Sequence, residues 1–277
     1  MAVDLFAVVD ETLRIRSPVD PSRLISSVDE WFQRAPPAGG ARHWKDGRSA
    51  KELGKAWCRR EVIAPPPELH ALLDSNSATR DLAIGSGIPE QLTFFADGAR
   101  GPRHHDFVLY GYVGTTKVVV CIEAKTDEGL DQPIEKRVRT ALQKRAREEP
   151  TGFPERLDRF AEAMFGFPAF GEFDALDPRL ARVPYQLVSG LAGTVREAAL
   201  RDAERAVFAV HVLKSAELDP VLLEANVLGF QRFCGLLTSG ASEIRDGVLI
   251  GPLTFPGSDE LPRIPLYVGI TTTRVGP

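Results

Sequence analysis

The stretch HHDFVLYGYVGTTKVVVCIEAKTDEG, residues 104–129, holds two apolar runs separated by a short polar break. Both runs are rich in Val, Tyr, Phe and Ile, which favour strands, and Gly114–Thr115 between them suits a two-residue hairpin turn. If Val113 faces Thr116 across that turn, counting outward along antiparallel strands brings Asp106 opposite Glu123. Side chains alternate along a strand, so Glu123 and Lys125 share a face with Lys117, Val119 and Cys121, while Ala124 points away. Asp106, Glu123 and Lys125 therefore crowd one end of the most hydrophobic segment of the chain. Two carboxylates brought to about 5 Å repel, and burial sharpens the repulsion, so the arrangement calls for a cation. Carboxylate oxygens as donors suit a hard ion such as Mg²⁺ (or Mn²⁺), whose remaining positions go to water and phosphate. A metal-bound water beside Lys125 suits attack on a phosphodiester. The competing reading is a cross-strand ion cluster with a purely structural role.

Working outward, HWKDGRSAKELGKAW reads as a short amphipathic helix in which Ser49 caps and Glu52 completes a capping box. Leu69, Leu72 and Leu73 mark a second helix after the PPP punctuation, and DLAIGSGIPEQLTFFA reads as a strand broken by a glycine-rich turn. Past the hairpin, DQPIEKRVRTALQKRAREEP reads as a basic helix over 133–149, capped by Asp131 and stopped by Pro150. Ile134, Val138, Ala141, Leu142 and Ala146 form its apolar stripe, leaving Arg137, Lys144 and Arg147 among the cations on its other faces. That face is either solvated or a nucleic-acid contact. Further helices are expected around Leu157 to Met164, in VPYQLVSGLAGTVREAALRDA with Leu187, Leu191, Val195 and Ala198 on one side, and around NVLGFQRFCGLL, with strands at AVFAVHVLKS, GVLIGPLTF and PLYVGITT. The order implies an α/β (α+β) domain, a central mixed sheet of about four to six strands flanked by helices. The Pro- and Gly-punctuated residues 1–40 read as an N-terminal appendage to a domain over 41–277.

Composition excludes little. The chain has 34 basic and 38 acidic residues, for a net charge of −4, so any nucleic acid must meet a local patch, a homodimer or a loading partner. No apolar run approaches the ~18 residues a membrane span needs, and an acid stands early in MAVDLFAVVD, which points to a cytoplasmic protein. Cys58, Cys121 and Cys234 lack metal-binding spacing and read as reduced core residues. Trp44 and Trp57 read as core anchors. Neither GxSxG nor a P-loop occurs.

Asp106 followed by Glu123-Ala124-Lys125 resembles the bipartite D…(D/E)xK motif of the PD-(D/E)XK nuclease superfamily, with His105 where the superfamily name has proline. HWKDGRSAKELGKAW, the IPE at 88–90, EAKTDE at 123–128 and PYQLVSGLAGT at 184–194 are similar to the HW…SA…W, PE, D…ExKxDE and YQL blocks of an uncharacterised bacterial family in that superfamily, over about residues 40–215. The resemblance implies a restriction-endonuclease-like αβββαβ core over about 41–215, with a C-terminal helix and strands over 216–277. It implies Asp106 and Glu123 as metal ligands, Glu90 as a further ligand or a strand end, Lys125 as the catalytic lysine, Gln186 aimed at the site and Tyr185 placing a phosphate. Asp127 and Glu128 either extend the metal site or cap the turn. His104 and His105 read as loop residues or phosphate contacts, since neighbours on a strand face opposite ways.

Two functions follow from these readings. One is a metal-dependent nuclease hydrolysing DNA, with RNA also open, in defence or repair. The other is a catalytically inactive nuclease-like fold that binds nucleic acid or a protein.

Overall fold

The computed structural model describes residues 3–8, 12–59, 62–96, 101–126, 128–214, 220–238, 240 and 244–275. The strands β1 (Arg14–Arg16) and β2 (Leu24–Ile25) precede α1 (Val28–Arg34) and α2 (Ser49–Trp57). A small hairpin of β3 (Cys58–Arg59) and β4 (Val62–Ile63) leads to α3 (Pro67–Asp74). The meander β5 (Ala83–Thr93), β6 (Arg103–Val113) and β7 (Thr116–Lys125) follows. Four helices, α4 (Ile134–Ala146), α5 (Phe153–Phe165), α6 (Pro178–Ala181) and α7 (Tyr185–Leu200), connect it to β8 (Arg205–Lys214). The chain ends with α8 (Pro220–Thr238), β9 (Ile250–Leu253) and β10 (Leu266–Arg274). No helix among the described residues is long and apolar enough to cross a membrane.

The central sheet is mixed and flanked by helices, in the order β2-β1-β5-β6-β7-β8-β10-β9. β5, β6 and β7 are antiparallel to one another, and β8 runs parallel to β7 after the helical crossover. From α3 to β8 the order is therefore helix, three strands, helical crossover, strand. The register between β6 and β7 places Val113 opposite Thr116 and Phe107 opposite Ile122, and one further step brings Asp106 opposite Glu123. The two faces separate by the period of two. Val108, Tyr110, Val119 and Cys121 pack with Leu187, Val188, Leu191 and Val195 of α7. Phe107, Leu109, Val120, Ile122 and Ala124 pack with Trp31, Leu53, Trp57 and Leu69.

Several expectations need correction. The sheet has eight strands rather than four to six, because short edge strands extend both sides of the expected core. The described residues of 1–40 are not a separate appendage: β1 joins β5 in parallel, and Trp31 is buried with its ring 5.2 Å from that of Phe107. The glycines of 83–93 make no turn; they lie in a continuous strand with one irregularity, and a Cβ on Gly87 would meet the Phe107 ring at 2.4 Å. Close approach, not turning, explains that glycine. Ser49 is the first residue of α2 rather than its cap, and Glu52 instead accepts from the Gly47 N–H at 3.0 Å. Pro133, not Asp131, stands at the N-cap of α4, while Asp131 pairs with Arg137 at 2.6 Å. Leu142 is exposed rather than part of the buried stripe.

If residues 1–40 are part of the core, Trp31→Ala should lower unfolding stability by about 3–5 kcal/mol, the usual range for emptying a buried aromatic site. Urea denaturation checks this. A loss below about 1 kcal/mol, the range of surface substitutions, would restore the appendage.

Candidate active site

The carboxylates of Glu90, Asp106 and Glu123 come from three adjacent strands at one end of the sheet. Glu123 is 1% exposed and Lys125 5%, both on the α7 side. Lys125 Nζ donates to Glu123 Oε1 at 2.8 Å. Gln186, in the first turn of α7, donates through Nε2 to the same oxygen. Arg103 holds Glu123 Oε2 through Nη2. Burial pushes the Glu123 pKa up, but Lys125 and Arg103, with hydrogen bonds from Lys125 and Asp106, hold it below the ordinary carboxylate value. Burial likewise opposes charge on Lys125, yet Glu123 and Asp106 raise its pKa, so it stays an ammonium at neutral pH.

Asp106 and Glu90 stand differently. Asp106 is half-buried and its Oδ2 accepts from the Ala124 N–H at 2.7 Å. Burial and the neighbouring Glu123 charge raise its pKa to about 7, outweighing Lys125, the Ala124 N–H and Arg103. Glu90 lies between Pro89 and Gln91, which pair with Phe107 and His105, so it sits opposite Asp106. Its φ of 52° lies in the left-handed region, which costs a non-glycine residue about 1–3 kcal/mol. Burial, Asp106 and Glu123 push its pKa up to about 8. Three acids thus face two fixed cations, and both cations are spent on Glu123.

The donor set fits a hard divalent ion in part. Asp106 and Glu90 are short of positive charge, and hard oxygen donors are what such an ion takes. Glu123 joins only if Arg103 yields Oε2. Among the described residues no group of three or more His, Cys, Asp and Glu is placed to hold a metal ion, so an ion bound here would need water or phosphate for most of its shell.

A cavity of about 300 Å³ opens above the carboxylates, lined by Glu90, Arg103, Asp106, Lys125, Glu128 and Gln186 together with His43 and Arg48. Glu128 accepts from the Ser49 hydroxyl at 2.7 Å, tying α2 to the end of β7. Asp127 lies outside the described residues. A second polar cavity of about 330 Å³ runs from Lys125 and Gln186 to Tyr185 and Arg137, and a third continues from Arg137 to Lys144. Arg137 and Lys144 therefore extend the site as a cleft, whereas Arg147, at the end of α4, lines neither of these two cavities. The Arg137 guanidinium stacks 5.1 Å from the Tyr185 ring centroid.

Sequence reasoning missed Arg103. It lies in a polar stretch that reads as a loop, yet its stem packs on α7 because residue 193 is glycine: a Cβ there would meet Arg103 Cγ at 2.7 Å and His105 at 2.9 Å. His104 and His105 are strand rather than loop residues, His104 exposed at the cavity and His105 buried against α7. Burial and Arg103 keep the His105 pKa well below its ordinary value, hence neutral. Trp57 is fully buried against Phe107, as expected of a core anchor, and Trp44 stacks on Phe32. Cys121 and Cys234 are buried free thiols and Cys58 is half-buried.

The chain belongs to the family described as a domain of unknown function (DUF6946), whose model matches residues 24–275. No curated protein and no solved structure matches it.

The two kinds of carboxylate predict opposite mutational signs in EDTA. Asp106 and Glu90 bind protons more tightly folded than unfolded, so their contribution to stability is complete below about pH 4 and is lost as pH rises through about 7 and 8. Asp106→Asn and Glu90→Gln should therefore raise the melting temperature at pH 8 and flatten its fall between pH 5 and 8, by roughly 2–4 °C per kcal/mol recovered. Glu123→Gln should lower it, because the depressed Glu123 pKa contributes stability that is present at neutral pH and lost only in acid. Equal losses in all three variants would leave only a structural ion cluster. Arg103→Met should tighten Mg²⁺ binding by calorimetry, since it removes the competitor for Glu123 Oε2. Weaker binding in that variant would show that the guanidinium supports the ion rather than competing with it.

Proposed function

We propose that this protein is a metal-dependent nuclease that hydrolyses DNA phosphodiester bonds, with Asp106, Glu123 and Lys125 as its central residues. The observation that carries the reading is the convergence of Glu90, Asp106 and Glu123 with a protonated Lys125, inside a helix, three-strand, helix, strand order. That order and the D…ExK placement are those of the PD-(D/E)XK nuclease superfamily which the sequence resembles. Asp106, Glu90 and, after exchange with Arg103, Glu123 would hold Mg²⁺ or Mn²⁺. When bound, such an ion supplies Lewis acidity to the phosphoryl oxygens and lowers the pKa of attacking water.

The remaining work falls to the chain itself. Lys125 keeps its ammonium beside the carboxylates, where it offsets negative charge developing on the phosphoryl group. Gln186 fixes the Glu123 carboxylate and with it the position of Lys125. Asp106 and Glu90, raised in pKa while no ion is present, would give up their protons on taking one up, so ion uptake would strengthen as pH rises. The cleft from Lys125 through Arg137 to Lys144 offers phosphate contacts along the strand, compensating locally for the acidic whole. Tyr185 supports Arg137 by stacking and so acts on phosphate through that residue.

A second reading, an inactive nuclease-like module that binds nucleic acid, has one specific observation in its favour. Both Glu123 oxygens already have protein partners in Arg103, Lys125 and Gln186. Incubation with supercoiled, linear and single-stranded DNA and with RNA, under Mg²⁺, Mn²⁺ or EDTA, separates the two. Activity should require the divalent ion and fall at least 100-fold in Asp106→Asn and in Lys125→Met, as losses of central electrostatic groups do. Ion binding should survive in Lys125→Met alone. Tight nucleic-acid binding with no cleavage under any ion would favour the module. Charge reversal at Arg137 and Lys144 should weaken binding and reduce its salt dependence, while reversal at Arg147 should do so least.

A further inference from the structure

Beside the carboxylates lies a cavity of about 450 Å³ that phosphate chemistry does not use. Glu90 and His104 line both it and the cavity above the acids, so the two adjoin. Most of its wall is apolar, with Val19 and Pro36 contributed by the N-terminal segment, Leu92 by the end of β5 and Phe94 by the residues just after it. Val19 is 88% exposed and Phe94 61%, so large apolar side chains are kept in water around a concave surface rather than packed. Isolated exposed apolar residues need no explanation, but a group lining one cavity beside a charged site points to a ligand.

The ligand must satisfy two neighbouring surfaces of opposite character. One carries Lys125, Arg103 and the acids, and suits an anionic phosphodiester; the other is apolar and includes an aromatic ring. A nucleotide joins those two chemistries in a single unit, an aromatic base tethered to a phosphate. In an intact duplex the base is stacked and paired, so only an unpaired base can enter. Of the polar side chains of the wall, Gln91 donates through Nε2 to the Leu92 carbonyl at 2.9 Å and Arg34 pairs with Glu30 at 2.7 Å, while Glu90 and His104 stand on the border with the carboxylate site. Recognition would then rest on stacking, which tolerates any base.

We propose that this cavity receives one unpaired nucleobase of the strand whose phosphate lies at the carboxylates, making single-stranded or locally unpaired nucleic acid the substrate class. The inference rests on the phosphodiester reading of the adjoining site.

Fluorescence anisotropy of the full chain in EDTA, with oligothymidylate, its duplex with oligoadenylate and an abasic strand of equal length, tests it without requiring cleavage. The single strand should bind at least about 5-fold tighter than the duplex or the abasic strand, the lower end of what one stacked base contributes. Phe94→Ala and, as a second exposed position, Leu92→Ser should cut single-strand affinity by about 5- to 150-fold and leave abasic binding unchanged. Lys125→Met should shift all three probes together and preserve the ratio of base-containing to abasic binding. Equal binding of base-containing and abasic strands by the wild type, or no effect of Phe94→Ala, would overturn the base pocket while leaving the phosphodiester site standing. If the folded chain binds neither these probes nor RNA, both in EDTA and with Ca²⁺ supplied as a hard ion for the acids, the pocket and the site reading fall together.

Discussion

Strand pairing delivers three carboxylates to one end of the sheet and fixed cations for only one of them. Glu123 is neutralised by Arg103 and Lys125, while the pKa values of Asp106 and Glu90 are raised to about 7 and about 8 because these half-buried acids lose water at their carboxyl groups and stand beside other acids. Like charges held this way cost stability unless a further cation arrives, and a folded protein that tolerates the cost does so where charge is used. The left-handed Glu90 backbone is a second local cost at the same place. Both are consistent with a site prepared for a ligand rather than with a cluster selected for stability.

The surrounding architecture holds this imbalance in position. Period-two burial of β6 and β7 leaves no freedom to slip, because a one-residue shift would turn Phe107 and Ile122 out of one core and Val108 and Cys121 out of the other. On one face α7 carries Gln186 to Glu123 and, through the missing side chain at Gly193, admits Arg103. On the other face the N-terminal segment buries Trp31 against Phe107, and α2 reaches the site through the Ser49–Glu128 hydrogen bond. The fold thus closes on the site from two separate layers. The apolar cavity beside it exists because Pro18, Val19 and the stretch after α1 lie beside the end of β5.

Much of this was legible from local pattern. The hairpin register followed from alternation and a two-residue turn, and with it the juxtaposition of Asp106, Glu123 and Lys125. The position of Gln186 at the start of a helix was also readable, because Pro184 marks the helix entry. Arg103 was not readable, since its role depends on a glycine ninety residues downstream in α7, a tertiary relation that no local period encodes. The N-terminal 40 residues misled for a similar reason. Their strands are two or three residues long and punctuated by proline, and only pairing with β5 makes them part of the sheet. Ser49 and Asp131 both fitted capping patterns, but each side chain found a partner farther away, in Glu128 and Arg137.

The most direct test of the central claim, that the unpaired acids await a cation, is the anomalous diffraction of crystals soaked in Mn²⁺. The expected result is a peak in contact with Asp106 and at least one of Glu90 and Glu123, with the Arg103 guanidinium withdrawn wherever Glu123 takes part. A peak elsewhere, or none at ion concentrations that support binding in solution, with Arg103 still seated on Glu123, would contradict it.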